Sequence, residues 1–86
     1  YDITAIIKIK TSQGKMLEIE NEIAKYDSVI AVYDITGDAD MIIIAKFKTR
    51  EFLSDFIKKV SAIPNVENTL THLVLNTIKE DNRLIE

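Results

Sequence analysis

The sequence predicts one α+β domain with its elements in the order βαββαβ, and three features of the chain carry that prediction. Val29 to Thr36 and Met41 to Lys48 are rich in β-branched and aromatic residues and flank Gly37-Asp38-Ala39-Asp40. Two such runs around a Gly/Asp turn read as an antiparallel hairpin. The second run has no polar residue from Met41 to Ala45, and a strand apolar on both faces must be covered on both, which places it inside a sheet. The third feature is an internal echo. Lys8-Ile9-Lys10-Thr11 recurs as Lys46-Phe47-Lys48-Thr49, and Ile23 to Val29 lines up with Val60 to Val66, as in a duplicated βαβ unit. Two right-handed crossovers sharing one sheet produce a ferredoxin-like sandwich, with an antiparallel sheet of strand order 4-1-3-2 and both helices on one face.

Taken in order, Ile3 to Lys10 alternates as a first strand, with Ile3, Ala5, Ile7 and Ile9 on one face and Thr4, Ile6, Lys8 and Lys10 on the other. Thr11 and Ser12 offer helix caps, and Met16, Ile19, Ile23 and Ala24 recur at helical spacing, which predicts a helix over 14–25. Asp27-Ser28 closes that connection before the second strand. Thr49 caps a second helix with the apolar stripe Phe52, Leu53, Phe56, Ile57 and Val60, and Pro64-Asn65 stops it. Val66 to Ile78 supplies the last strand, and Lys79 to Glu86 is a polar tail expected to fray.

The sheet face away from the helices is the informative one. A turn over 37–40 sets Ile35 opposite Ile42 and Tyr33 opposite Ile44, on the same side as Ile6. Ile6, Tyr33, Ile35, Ile42 and Ile44, joined by Leu70 and Val74, then form an apolar patch of the kind that marks a contact surface. Two such faces packed together make a homodimer of the dimeric α/β-barrel type.

Composition asks for such an outlet. A domain of 86 residues buries only about 60–65% of its unfolded surface, yet 47% of these residues are hydrophobic and only three are Gly or Pro. Charge is 11 basic against 14 acidic, formally −3, with no basic run beyond Lys58-Lys59, so nothing here would drive binding to a phosphate backbone. RNA-recognition modules share the element order, but they stack bases on aromatics of the middle strands, where this chain has isoleucines. The absence of cysteine excludes disulfides, thiolate metal sites and thiol chemistry, and is compatible with a reducing cytoplasm, the expected setting. No stretch approaches the ~20 apolar residues of a membrane helix, and no cofactor motif is present.

Candidate sites are few. Asp38 and Asp40 at the hairpin tip can receive a cation or an amine, or can serve as turn residues only; two carboxylates are too few ligands to define a metal site. His72, the single histidine, has no partner for metal binding or nucleophilic chemistry and fits an interface strand. Asp34 needs a partner if buried, with Lys8, Lys46 or a backbone donor as choices. Thr69 and Thr71 share one face of the last strand, where two hydroxyls can hold a carboxylate or simply favour the strand.

Ile35-Thr36-Gly37-Asp38-Ala39-Asp40 followed by an apolar strand resembles the V-T-G-x-x-D hairpin of the Lrp/AsnC transcriptional regulators, in their C-terminal effector module, the RAM domain. Ile63-Pro64-Asn65-Val66-Glu67-Asn68-Thr69-Leu70-Thr71 resembles that family's I-P-G-V-x-x-T-x-T segment, and Leu73 to Glu80 its closing strand. Asn65 replaces the usual Gly and also tolerates the left-handed conformation. Family members carry an N-terminal helix-turn-helix domain for which this chain has no room, so the expectation is a stand-alone effector module or the C-terminal half of a longer regulator. The resemblance implies a dimer through the open sheet face, a ring of dimers, commonly an octamer, and an amino-acid effector held between dimers near the hairpin tips. It implies effector contacts at Gly37, Asp38 and Asp40 and at Thr69 and Thr71. Asp55, off the Phe52/Phe56 stripe on an exposed flank of the second helix, is added from geometry as a group that could receive a ligand amine at a neighbouring dimer.

The expected function is therefore amino-acid sensing and oligomerisation in transcriptional regulation, without DNA binding by this chain itself and without enzymatic activity. Self, a free amino acid and possible full-length relatives are the expected partners. The rival classes are a small dimeric α/β-barrel enzyme of monooxygenase type, which would need an internal cavity lined by His72, and a purely structural oligomerisation module.

Overall fold

A computed structural model describes residues 2–12 and 14–78. The elements run β1 (Ile3–Thr11), α1 (Met16–Ile23), β2 (Val29–Asp34), β3 (Met41–Phe47), α2 (Arg50–Ser61) and β4 (Val66–Leu73). The strands form one antiparallel sheet in the order β2-β3-β1-β4, the predicted order read from the opposite edge. The expected fraying of Lys79 to Glu86 lies outside the described residues.

Period-two alternation sets the core. Ala5, Ile7 and Ile9 of β1 and Met41, Ile43, Ala45 and Phe47 of β3 are buried together with Ile19 and Ile23 of α1 and Leu53, Phe56 and Val60 of α2. Phe56 packs edge-on against Tyr26 at 5.3 Å and tilted against Phe47 at 5.2 Å, geometries that aromatic pairs favour over face-to-face stacking. Both central strands thus turn one face to the helices and leave the other uncovered.

Four local expectations are corrected. The hairpin turn is one residue earlier than 37–40: Ile35 N–H donates to the Asp40 carbonyl at 3.1 Å, and Tyr33 faces Ile42 while Ala31 faces Ile44. Asp40 causes the shift, because its N–H donates to the Ile9 carbonyl at 3.0 Å and draws it into the end of the sheet. A two-residue change of partner preserves side-chain parity, so Tyr33, Ile42 and Ile44 still share a face. Helix α1 is shorter than 14–25, and neither Thr11 nor Ser12 caps it. Its N-cap is Lys15, with no side-chain bond; Thr11 is the last residue of β1, and the Ser12 hydroxyl donates to Glu67 at 3.2 Å.

Strand β4 ends at Leu73 rather than Ile78. Leu73 faces Ala5, and Val74 N–H donates to the Thr4 carbonyl at 2.9 Å, after which β1 has almost no backbone left to pair. Phe52, expected in the apolar stripe, is 59% exposed, because the buried line of α2 runs through Leu53, Phe56 and Val60 and leaves Phe52 on its edge.

Candidate functional site

The hairpin tip is built by glycine geometry and one committed carboxylate. Gly37 has φ +112°, a conformation costly for any residue with a Cβ. The Asp40 carboxylate accepts from Thr11 N–H at 2.8 Å and lies 3.4 Å from the Thr11 hydroxyl. This bond satisfies the last backbone donor of β1 at a buried residue. Asp40 is therefore a structural clamp in this state. Asp38, two residues earlier, is exposed and makes no side-chain hydrogen bond or ion pair among the described residues.

Asp38 instead lines a depression of about 190 Å³ with Lys8, Lys10, Ala39, Asn68, Thr69 and Leu70. Directly opposed strand residues share a face. Lys8 stands opposite Ile42 and Leu70, and Lys10 opposite Asn68, so this depression opens at the hairpin end of the uncovered sheet face. Of the expected effector residues, the structure brings Asp38 and Thr69 to one place, with Gly37 adjacent in the chain. By register Thr69 faces Ile9 and Thr71 faces Ile7, both on the helix side, so Thr69 borders the depression through its place between Asn68 and Leu70, and Thr71 lies two positions further along the strand. Asp55 lines a separate depression with Arg50, Glu51, Ser54 and Lys58. Lys8, Lys10 and Asn68 were not anticipated there. The phase of β1 put both lysines on one face, but only the register of β1 with β4 and the folded-back tip sets them beside Asp38.

The uncovered face carries Ile6 opposite Ile44 and His72, and Tyr33 opposite Ile42. Tyr33 and Leu70 are each 54% exposed and Val74 is 37% exposed, while Ile6, Ile42 and Ile44 are half-buried. Ile35, past the end of β2, is half-buried as well. His72 is exposed on this face and lies away from the packed core.

Asp34 does not meet Lys8 or Lys46, which are on the opposite face of the sheet. Its neighbour is Glu20 of α1. The hydrogen bond with Asp34, then burial, then repulsion between the two carboxyls raise the Glu20 pKa above its ordinary value. Among the described residues no group of three or more His, Cys, Asp or Glu side chains could hold a metal, and no helix is long and apolar enough to cross a membrane.

Residues 4–84 match the Lrp/AsnC ligand binding domain. An HTH-type transcriptional regulator of Pyrococcus abyssi, itself uncharacterised, is 54% identical over 84 residues, which are 98% of this chain and 57% of that protein. The HTH-type transcriptional regulator FL11 of Pyrococcus horikoshii is 39% identical over 84 residues, 98% of this chain and 56% of the regulator. The chain thus spans little more than half the length of these relatives. A transcriptional regulator of Neisseria meningitidis solved as an L-Met complex has the same fold, with a TM-score of 0.90 at 21% identity over 96% of this chain and 56% of that one. The chain belongs to the Lrp/AsnC family, whose ligand-binding domain it constitutes.

Proposed function

We propose that this domain binds a free amino acid at the hairpin end of its sheet and uses that binding to set its assembly state, as the sensing part of transcriptional regulation. The observation that carries this reading is the depression beside Asp38, which places an uncommitted carboxylate, basic groups and apolar side chains together in a ligand-binding domain. The L-Met complex of the Neisseria regulator supports an amino acid as the ligand class. In this proposal Gly37, Asp38 and Thr69 contact the effector. Asp40 holds the tip in shape, and Thr71 and Asp55 contribute only across an assembly of subunits.

The open face carrying Ile6, Tyr33, Ile35, Ile42 and Ile44 is the proposed homodimer interface, and dimers associate further into a ring. Such a domain works in the cytoplasm, touches DNA only through a helix-turn-helix partner or relative, and performs no catalysis. The exposed position of His72 and the packed core disfavour the small α/β-barrel enzyme.

The test is calorimetric titration of the twenty amino acids into wild type and Asp38→Ala. At least one is expected to bind the wild type at up to millimolar concentration and to bind Asp38→Ala at least several-fold more weakly. Absence of binding by all twenty would leave an oligomerisation module and end the sensing proposal.

A further inference from the structure

We propose that His72 makes closure of the sheet-face homodimer depend on pH: with a neutral imidazole the two faces meet, and with a protonated one they part. This rests on the dimer interface proposed above and adds the proton as its regulator.

The register fixes what surrounds His72 on the uncovered face. It stands directly opposite Ile6 of β1, and Ile6 stands opposite Ile44 of β3, so the imidazole ends an apolar row that crosses the sheet. Along its own strand the neighbours on that side are Leu70 and Val74, both exposed. Lys8 comes next, opposite Leu70 and on the diagonal from His72, roughly 7–8 Å away. Lys10 and Lys46 lie further off, opposite Asn68 and Thr4. Among the described residues, the charged groups that the register places on this face are these three lysines, with no carboxylate. Asp38 is at the hairpin end beside Lys8 and Lys10, and Asp2 precedes β1 at the other end.

The symmetry of a homodimer extends this inventory to the partner. An isologous interface packs one patch against its own copy, so whatever meets His72 from a second subunit is drawn from the same residues: isoleucines, Leu70, Val74, Tyr33 or a lysine. A neutral imidazole has an apolar body and a polar tip and fits such surroundings. An imidazolium covered there meets no carboxylate and adds to the lysine charge, and burying an unpaired charge is costly. The lysines escape that cost, because a long flexible stem carries the ammonium group out to the rim. The imidazole is held one carbon from the backbone and is too short to follow.

Between pH 7.5 and 5.5 histidine is the side chain whose charge ordinarily changes, while lysines stay protonated and ordinary carboxylates ionised. Glu20 departs from the ordinary range, raised first by its hydrogen bond with Asp34, but it belongs to α1 on the other side of the sheet. A dimer contains two copies of His72, so a proton that binds only the open state counts twice. The association constant then falls by up to about 100-fold per pH unit once the free imidazole is protonated.

The experiment measures self-association by sedimentation equilibrium at pH 7.5 and pH 5.5, at one salt concentration, for wild type, His72→Gln, His72→Asn and Glu20→Gln. Circular dichroism verifies that each is folded at both. Wild type is expected to associate at least about tenfold more weakly at pH 5.5. His72→Gln and His72→Asn should associate at pH 7.5 within about threefold of wild type and lose the pH dependence, while Glu20→Gln should keep it. If wild type associates equally at both pH values, if the two neutral variants keep the drop, or if they fail to associate at pH 7.5, this inference is overturned while the dimer interface stands. If wild type is a monomer at both, the interface and the inference fail together.

Discussion

At the scale of single residues, the hairpin tip separates a carboxylate that shapes the site from one that is open to a ligand. Asp40 accepts the Thr11 N–H at a buried position, so Asp40→Ala orphans a buried donor and should cost about 1–2 kcal/mol in chemical denaturation. Asp38 makes no such bond, and Asp38→Ala should change stability by no more than about 0.5 kcal/mol. In the sequence the two aspartates looked equivalent, because the Asp40 partner is 29 residues away and no local spacing announces it. Glu20 was equally hidden.

Glu20 carries a pH prediction whose sign follows from its raised pKa. A carboxyl with a raised folded-state pKa favours folding below its unfolded value, about 4.3. That contribution disappears as pH rises through the folded value. At neutral pH the Glu20 and Asp34 charges oppose each other, so Glu20→Gln should stabilise the fold there by under about 1 kcal/mol, a figure already reduced for solvent screening. Thermal melts at pH 7 and at pH 3.5 check this: the gain should be present at the first and absent at the second. An equal gain at both would contradict it.

At the scale of elements, two repeated threonines have taken different roles. The Thr49 hydroxyl accepts from Phe52 N–H at 3.2 Å and caps α2, whereas Thr11 stays in β1 under the hold of Asp40. Thr49→Ala should therefore cost about 1 kcal/mol in urea denaturation, and an unchanged midpoint would show the cap to be inert. Strand and helix identities were legible because alternation and the 53/56/60 line are properties of short windows. Their ends were not, since the end of β4 depends on where β1 runs out of backbone and the end of β1 is held by a tertiary hydrogen bond from Thr11 to Asp40. Asn65, at φ +76°, retains the left-handed turn that a glycine would otherwise supply.

At the scale of the whole molecule, the uncovered face was visible in the sequence as the isoleucines in the second phase of alternation, and a shift of partner by two residues left it intact. The candidate site was legible only in part: the tip motif named Asp38, while Lys8 and Lys10 needed the folded register to line the same depression. The central claim is that this face pairs with a second copy and that an amino acid strengthens the assembly. Ile44→Asp would put an unpaired charge into that interface, at a cost of several kcal/mol if it stayed closed, so the variant should be monomeric. Sedimentation of wild type and Ile44→Asp, with and without the amino acid that binds, tests this directly. Wild type is predicted to sediment as a dimer or larger and to gain mass with ligand, while Ile44→Asp remains a monomer in both. Indistinguishable monomers in all four samples would contradict it.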